Sequence, residues 1–405
     1  MFPRFLLKTL CVSAVVFASC QPLLAEEESG HPLAGISLRS IGPALTTGRV
    51  SDFAFVPGEW QKHYVAMASG NLWKTENNGV TWTPVFEHQG SFAIGVVELD
   101  PQNPNTVWVG TGENNSQRSV AYGDGVYRSL DGGKSWSNMG LKDSGHISMI
   151  RIHPEDSNTV WVAAQGPLWN SGGERGLYKT TDGGKNWERI LHIDEDTGVN
   201  EFVIDPADPD IIVASSYQRR RHVWTLINGG PGSGVHKTMD GGKTWRRISK
   251  GIPAGDLGRI GLAMAPSQPN LLYAIIEADD KGKGVYRSTD FGESWEKRSG
   301  HMTTSPQYYN ELFVDPNNAD VVYSVDTFTH RSNDGGENWE RLSIESRHVD
   351  DHALWIDPAN SDHLYIGGDG GVYESWDHGA TWRHAGNLPV VQYYRATPDN
   401  DFPFY

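Results

Sequence analysis

Four stretches of this sequence gather side chains that could do chemistry. Glu113, Asn114, Asn115, Arg118, Tyr122 and Asp124 stand in one short polar run. Carboxylate, amide, guanidinium and phenol groups at that density suit recognition of a polar ligand. Arg219, Arg220 and Arg221 precede His222. Such a basic cluster either grips an anion bidentately or stays solvated and paired with nearby carboxylates. Trp169 and Trp224 are flat aromatics, able to stack on a sugar or peptide or to plug their own loops. His348, Asp350, Asp351 and His352 form the fourth stretch. Two imidazoles and two carboxylates suit a divalent metal, or a hydrogen-bonded His–Asp network that seats a strand. The network is the reading adopted, so neither metal nor cofactor is expected. If this run enters a strand, alternation puts His348, Asp350 and His352 on one side and Asp351 on the other. Asp369, between pairs of glycines, reads as a turn residue, and Tyr308, Tyr309 and Glu311 as the start of an inner strand.

What positions these residues is a repeat. Ser129 to Trp136 reads Ser-Leu-Asp-Gly-Gly-Lys-Ser-Trp, one copy of the pattern Ser/Thr-x-Asp-x-Gly-x-x-Trp. Further copies end at Trp187, Trp245, Trp295, Trp339 and Trp382, and a worn copy from Thr75 to Trp82 has Asn77 in the Asp place. A repeat on this scale decides the fold. The Asp carboxylate can accept N–H bonds from its own turn, and the Gly two residues on permits positive φ. Asp131, Asp182, Asp240, Asp290, Asp334 and Asp377 are therefore read as structural, and each copy as a hairpin turn between two strands.

Each hairpin closes a unit of four strands. In the third unit Ile147 to Ile152, Thr159 to Ala163, Gly176 to Thr180 and Trp187 to Leu191 are the expected strands. Seven such units predict an all-β, seven-bladed β-propeller over 36–388. Residues 389–405 read as a partial strand pair, the start of a further blade or domain. In a four-stranded meander the turns after strands one and three share a face, and they carry Asp-Pro turns and Asp boxes. The opposite face carries connections that differ: long at Glu113–Asp124, Gln165–Arg175, Tyr217–Ser233 and Glu277–Lys283, and short in the first, sixth and seventh units. A tall rim on four adjacent blades beside a low rim on three makes a groove, and long loops on a rigid scaffold are where function concentrates.

The net charge of −16 argues against nucleic acid as a partner. Arg4 and Lys8 before an apolar Leu10–Ser19 read as a secretion signal over 1–25, too short for a transmembrane span, followed by a flexible acidic segment over 26–35. Cleavage after Ala25 would release a soluble periplasmic or secreted protein. Phe17-Ala18-Ser19-Cys20 resembles a lipobox that would leave a lipid anchor on Cys20, and Phe17 in place of the usual Leu favours the first ending. Cys11 and Cys20 are the only cysteines, so the exported part has no internal disulfide.

The octapeptide resembles the Asp-box, or BNR, repeat of sialidases, sortilins and two-propeller xyloglucanases. Arg39–Pro43, Gly48–Asp52, Gly110–Asn114 and Asp351–Trp355 extend that resemblance to large exported bacterial BNR-repeat proteins. It implies a propeller that binds an extracellular polymer, a glycan above all, with xyloglucanase-like glycoside hydrolysis as its enzymatic form. Where the xyloglucanase pattern implies a catalytic Asp in the first blade, this sequence reads Ala68-Ser69-Gly70. The alternatives that stay open are a sortilin-like propeller that binds peptide or protein, and a non-catalytic module for assembly in the cell envelope.

Overall fold

A computed structural model of the chain describes residues 48–118, 120–393, 395 and 397. The expected signal segment, the acidic segment and most of the strand pair read over 389–405 lie outside those residues. Seven antiparallel sheets follow one another, at 50–84, 94–138, 147–191, 197–248, 260–299, 311–341 and 351–384, numbered here as blades 1 to 7. In each, spatial order is chain order. Blade 4 carries an extra hairpin, because its second strand runs on from Asp208 to His222 and Thr225–Asn228 folds back on its end. The architecture is the seven-bladed propeller that the repeat predicts.

Apolar clusters fill the seams between blades rather than the blades themselves. Ala54, Tyr64 and Leu72 of blade 1 pack with Ile94, Val97 and Val109 of blade 2. Among the described residues every blade is contiguous in sequence, and no shared strand closes the ring. Closure is by packing: Val50, Phe53 and Met67 of blade 1 join Ala353, Tyr365 and Val372 of blade 7, with Leu388 and Val390. The Phe55 and Trp355 rings stack at 3.8 Å. Val390 covers Gly48 and Gly70, where an added Cβ would lie 2.7 and 2.9 Å from its methyl carbon.

The innermost strands are also joined by a belt of hydrogen bonds around the channel. Ser51 Oγ donates to Ile94 O (2.7 Å), Ser148 Oγ to Val199 O (3.2 Å) and Asn200 Nδ2 to Ile260 O (2.9 Å), each reaching the next blade. These residues sit at or beside irregular pairings, including those at Val50/Asp52 and Val199/Glu201, that turn side chains out of strict alternation. Asp52 accepts Val97 N–H (2.9 Å) and Glu201 accepts Leu262 N–H (2.5 Å) in the same way.

The Asp boxes do the equivalent work outside. Ser129 Oγ donates to Asp131 Oδ1 (2.8 Å) and accepts Gly133 N–H (2.8 Å), while Asp131 accepts Ser135 N–H (2.9 Å) and Oγ–H (2.6 Å). Gly133 has φ 91°, a conformation that only glycine adopts cheaply. The box tip N–H of Gly132 bonds Asn105 O near the start of the blade's second strand, just past the turn after the first, which puts both kinds of turn on one face. The Trp then crosses the seam. Trp136 Nε1 donates to Val85 O of blade 1 (2.6 Å) and Trp187 Nε1 to Met139 O of blade 2 (2.7 Å). A donor from the preceding blade grips the tip in return: Tyr64 on Gly132 O (3.1 Å) and Arg128 on Gly183 O (2.7 Å).

Because Ser129 is buried, Ser129→Ala leaves Gly133 N–H without its acceptor. A loss of about 1–3 kcal/mol in urea unfolding is expected, and a change within error would refute the box's role as a buried hydrogen-bond unit.

Candidate functional site

The face opposite the boxes is built as the loop lengths imply. Residues 112–125, 165–175 and 277–283 and the blade 4 hairpin are long connections, whereas only 68–71, 326–329 and 369–370 separate the corresponding strands of blades 1, 6 and 7. The blade 2 loop does not stand upright. It lies across the channel mouth as a strap, and Ser116 N–H bonds Gln307 O at the entry to blade 6 (3.0 Å).

Blade 4 pins that strap. Along Asp208–His222 alternate side chains face alternate sides, and Arg219 and Arg221 both reach blade 2. Arg219 Nη1 donates to Asn115 O (2.7 Å) and Ser116 Oγ (3.2 Å), and Arg221 Nε donates to Ser116 O (2.6 Å). Arg220 reaches blade 3 instead, at Ser171 Oγ (2.6 Å) and 3.7 Å from Asp196. The three arginines are thus neither one anion clamp nor one solvated patch. Arg219 is 0 % exposed and held by carbonyls. Burial, with Arg175 and Arg259 nearby, brings its pKa down to about 9.

At the low-rim end of the strap lies an ionic node. Arg49, entering the first strand of blade 1, ion-pairs with Glu113 of the strap and with Asp369 in the blade 7 turn (Nε–Oδ1 2.8 Å). Its guanidinium also lies over the Tyr308 ring at 5.0 Å. Tyr308 OH donates to Asp369 (3.2 Å), and His352 Nε2 stands 3.4 Å from the same carboxylate. The His352 ring stacks on Tyr309 at 5.1 Å, and Tyr309 OH donates to Asp350 Oδ1 (2.7 Å). Burial raises the Asp369 pKa, but His352 and Arg49 outweigh it and hold the carboxyl well below the usual range.

The other expected residues divide. Asn114 lines the channel cavity of about 390 Å³ beneath the strap. Arg118 is exposed at an open depression of about 430 Å³ shared with Arg49, Gln117, Arg221 and Tyr308. Tyr122 is exposed, with its ring 5.1 Å from His146. Asp124 is a scaffold residue that accepts Tyr127 OH (2.6 Å). Trp169 is half-buried. Trp224 is 82 % exposed at the hairpin tip, stacked on His222.

The alternation expected for His348, Asp350 and His352 fails. The strand begins only at Asp351, and Asp350 has φ 69°. His348 is exposed, and its ring contacts Val349 O rather than joining the other two. Asp351 is buried on Arg347 (2.7 Å) and Thr329 (2.6 Å). Asp369 is no mere turn residue, and Arg49 had no local signal at all, being 320 positions from its partner.

The channel below holds a second set of acids. Asp52 and Glu311 face it but are enclosed by protein, and Glu311 pairs with Arg259 (2.8 Å). Burial pushes Asp52 up to about 7 despite the Val97 and Phe53 N–H groups that it accepts. Burial and then Glu311 raise Glu201 likewise.

Seven copies of one turn, repeated blade by blade, fix the fold class. The chain is an Asp-box propeller. The BNR/Asp-box repeat model matches residues 286–297, and the model for sortilin (Sortilin-Vps10, neurotensin receptor 3) matches 124–252. A Neosartorya fischeri protein named "Probable oligoxyloglucan-reducing end-specific xyloglucanase" is 25 % identical over 363 residues, covering 76 % of this chain and 41 % of its own. A xyloglucanase of Acetivibrio thermocellus is 21 % identical over 346 residues, covering 71 % and 38 %. The Asp-box propeller described here thus spans about two-fifths of the length of these curated relatives. Among solved structures, the GH74 xyloglucanase from Xanthomonas campestris superposes with a TM-score of 0.61 at 16 % identity, covering 83 % of this chain and 53 % of that one. YCF48 from Cyanidioschyzon merolae gives 0.52 at 17 %, covering 82 % and 97 %. At those identities the superpositions establish the fold. No helix among the described residues is long and apolar enough to cross a membrane.

The two acid populations set opposite pH limits. Asp52, raised on folding, contributes stability that is full below its unfolded pKa and is lost as pH rises through about 7. Asp131, Asp182, Asp240 and Asp334, lowered to about 2 by their own turns, contribute above the unfolded value and lose it as pH falls through about 2. Asp52 therefore adds a decline of melting temperature with pH that is complete by about pH 7, while the buried His63, His236 and His301, with pKa values lowered by burial, add a rise up to their unfolded value. Asp52→Asn should remove the decline, so that melting temperature climbs more steeply between about pH 4 and about pH 7 than in the parent, and an unchanged slope in that variant would contradict the assignment.

Proposed function

We propose that this propeller is exported and binds a glycan chain laid across its loop face, from the low rim of blades 6, 7 and 1 to the tall wall of blades 2 to 5. The observation that carries the reading is the node on the floor of that groove. Arg49, Glu113, Asp369, Tyr308 and His352 come from four blades to one place, where Arg49 is oriented by Glu113 and Asp369 and Tyr308 by Asp369, while Glu113 Oε2 and His352 Nε2 have no hydrogen-bond partner among the described residues. Preset donors and acceptors beside aromatic rings are what hydroxyl-rich ligands need. Exposed Tyr122 and Trp224 on the wall add flat surfaces for sugar rings. The xyloglucanases among the relatives favour a glycan over other polymers.

Hydrolysis is the less supported form of this function. It needs two carboxyl groups flanking the bond, one of them protonated at working pH. Glu113 and Asp369 grip one guanidinium, so Arg49 fills the space between them. Asp369 is also held on the ionised side. Of the carboxyls with raised pKa, Asp52, Glu201 and Glu311 line the channel, Asp351 is closed off on Arg347, and Glu277 on the blade 5 loop is taken up by Asn228 Nδ2 and the Arg259 N–H.

Calorimetric titration with xyloglucan oligosaccharides should therefore show binding without release of reducing ends. Tyr308→Ala, which removes the ring beneath Arg49 and a donor to Asp369, should weaken it at least about tenfold, an aromatic contact and a hydrogen bond together. Binding confined to peptides would overturn the glycan reading, and reducing-end release abolished by Asp369→Asn would overturn the non-catalytic one.

A further inference from the structure

The cations of the strap are not balanced. Among the described residues no carboxylate lies within ion-pair distance of Arg118 or Arg221, in a chain whose net charge is −16. Arg221 is buried, and its Nε is committed to Ser116 O, which fixes the plane of its guanidinium. Burial and the neighbouring Arg118 charge both lower its pKa, the signature of two like charges held close without a counter-ion. Behind them Arg219 is sealed in with its Nε unpartnered. Buried charge without a partner is costly, and the strap nevertheless places Arg118 and Arg221 side by side on one open depression of about 430 Å³.

The far wall of that depression differs. Arg49 and Tyr308 form it, and there Glu113 and Asp369 already neutralise Arg49. The depression is thus polarised, with free guanidinium on the tall side and saturated, hydrogen-bonding surface on the low side. Arg118 is exposed and so able to swing onto an incoming group, whereas Arg221 is preset. Two guanidinium forks match the two oxygens of a planar carboxylate.

We propose that Arg118 and Arg221 form a subsite for a carboxylate carried on the glycan, so that the preferred ligand is a uronate-bearing saccharide. The carboxylate sits against the strap, and the sugar hydroxyls face Tyr308 and Asp369. Trp224 stands three residues beyond Arg221, in the turn where the hairpin reverses, and its exposed ring offers a platform for a neighbouring sugar. This subsite rests on the glycan reading above and adds its charge class and its direction of binding.

The test is calorimetry on the full chain at low salt with oligogalacturonate, the same oligosaccharide fully methyl-esterified, a sulfated glucan oligosaccharide, neutral xyloglucan oligosaccharides and a peptide with a free C-terminal carboxylate. The acid form is expected to bind at least tenfold tighter than its ester, and 0.5 M NaCl should erase most of the difference. Arg118→Gln should bring the acid down to the affinity of the ester while leaving the ester unchanged. Arg221→Lys, which keeps the charge but loses the fork, should cost part of the difference, with near-UV circular dichroism confirming the fold. Equal affinity for acid and ester, an unaffected Arg118→Gln, or preference for the sulfated glucan would overturn the subsite. Binding of the neutral oligosaccharides without preference for the acid would do so too, while leaving the glycan reading in place. Failure of every saccharide, with or without peptide binding, would overturn both.

Discussion

One guanidinium holds the loop face together. Arg49 enters the ring at its closure point and is shared by Glu113, from a strap that crosses the channel, and Asp369, from the last blade. Among the described residues no strand is exchanged between blades 1 and 7, and they are held together by seam packing, by the stacked Phe55–Trp355 pair and by this part-buried ionic bridge. The same bridge makes the groove floor, since Tyr308 and His352 are placed against it. Stability of the ring and shape of the site therefore share one set of contacts.

The propeller solves two problems with two kinds of carboxylate. Outside, box aspartates such as Asp131 are satisfied by their own turn and stay ionised. Inside, Asp52 and Glu201 cap backbone N–H groups of the neighbouring inner strand and are pushed towards the neutral form by burial. Neither population reaches the groove. Its charge comes from the Arg49 node and from the strap, where Arg219 and Arg221 of blade 4 are held by carbonyls rather than by acids.

The fold was legible because its determinants are local. A Ser/Thr, an Asp, a Gly and a Trp at fixed spacing specify the hairpin, and strand Gly176–Thr180 falls where the pattern places it. Loop lengths also reported the tall and low rims. The site was legible only in part. Glu113 and His352 stood out by type, but Arg49 and Asp369 meet across 320 positions and carry no mutual signal. A solvated Arg219 and one sealed among carbonyls read identically in sequence, since the difference lies in what a distant loop does. The left-handed backbone at Asp350 broke the alternation assumed for His348–His352.

If ring closure and groove floor depend on one bridge, Arg49 and Asp369 must be energetically coupled. The direct measurement is a double-mutant cycle in urea unfolding with Arg49→Met, Asp369→Asn and the pair. A coupling of about 1–3 kcal/mol is predicted, the range for contacting residues in one polar network. A coupling within error of zero would mean that the bridge neither closes the ring nor sets the floor of the groove.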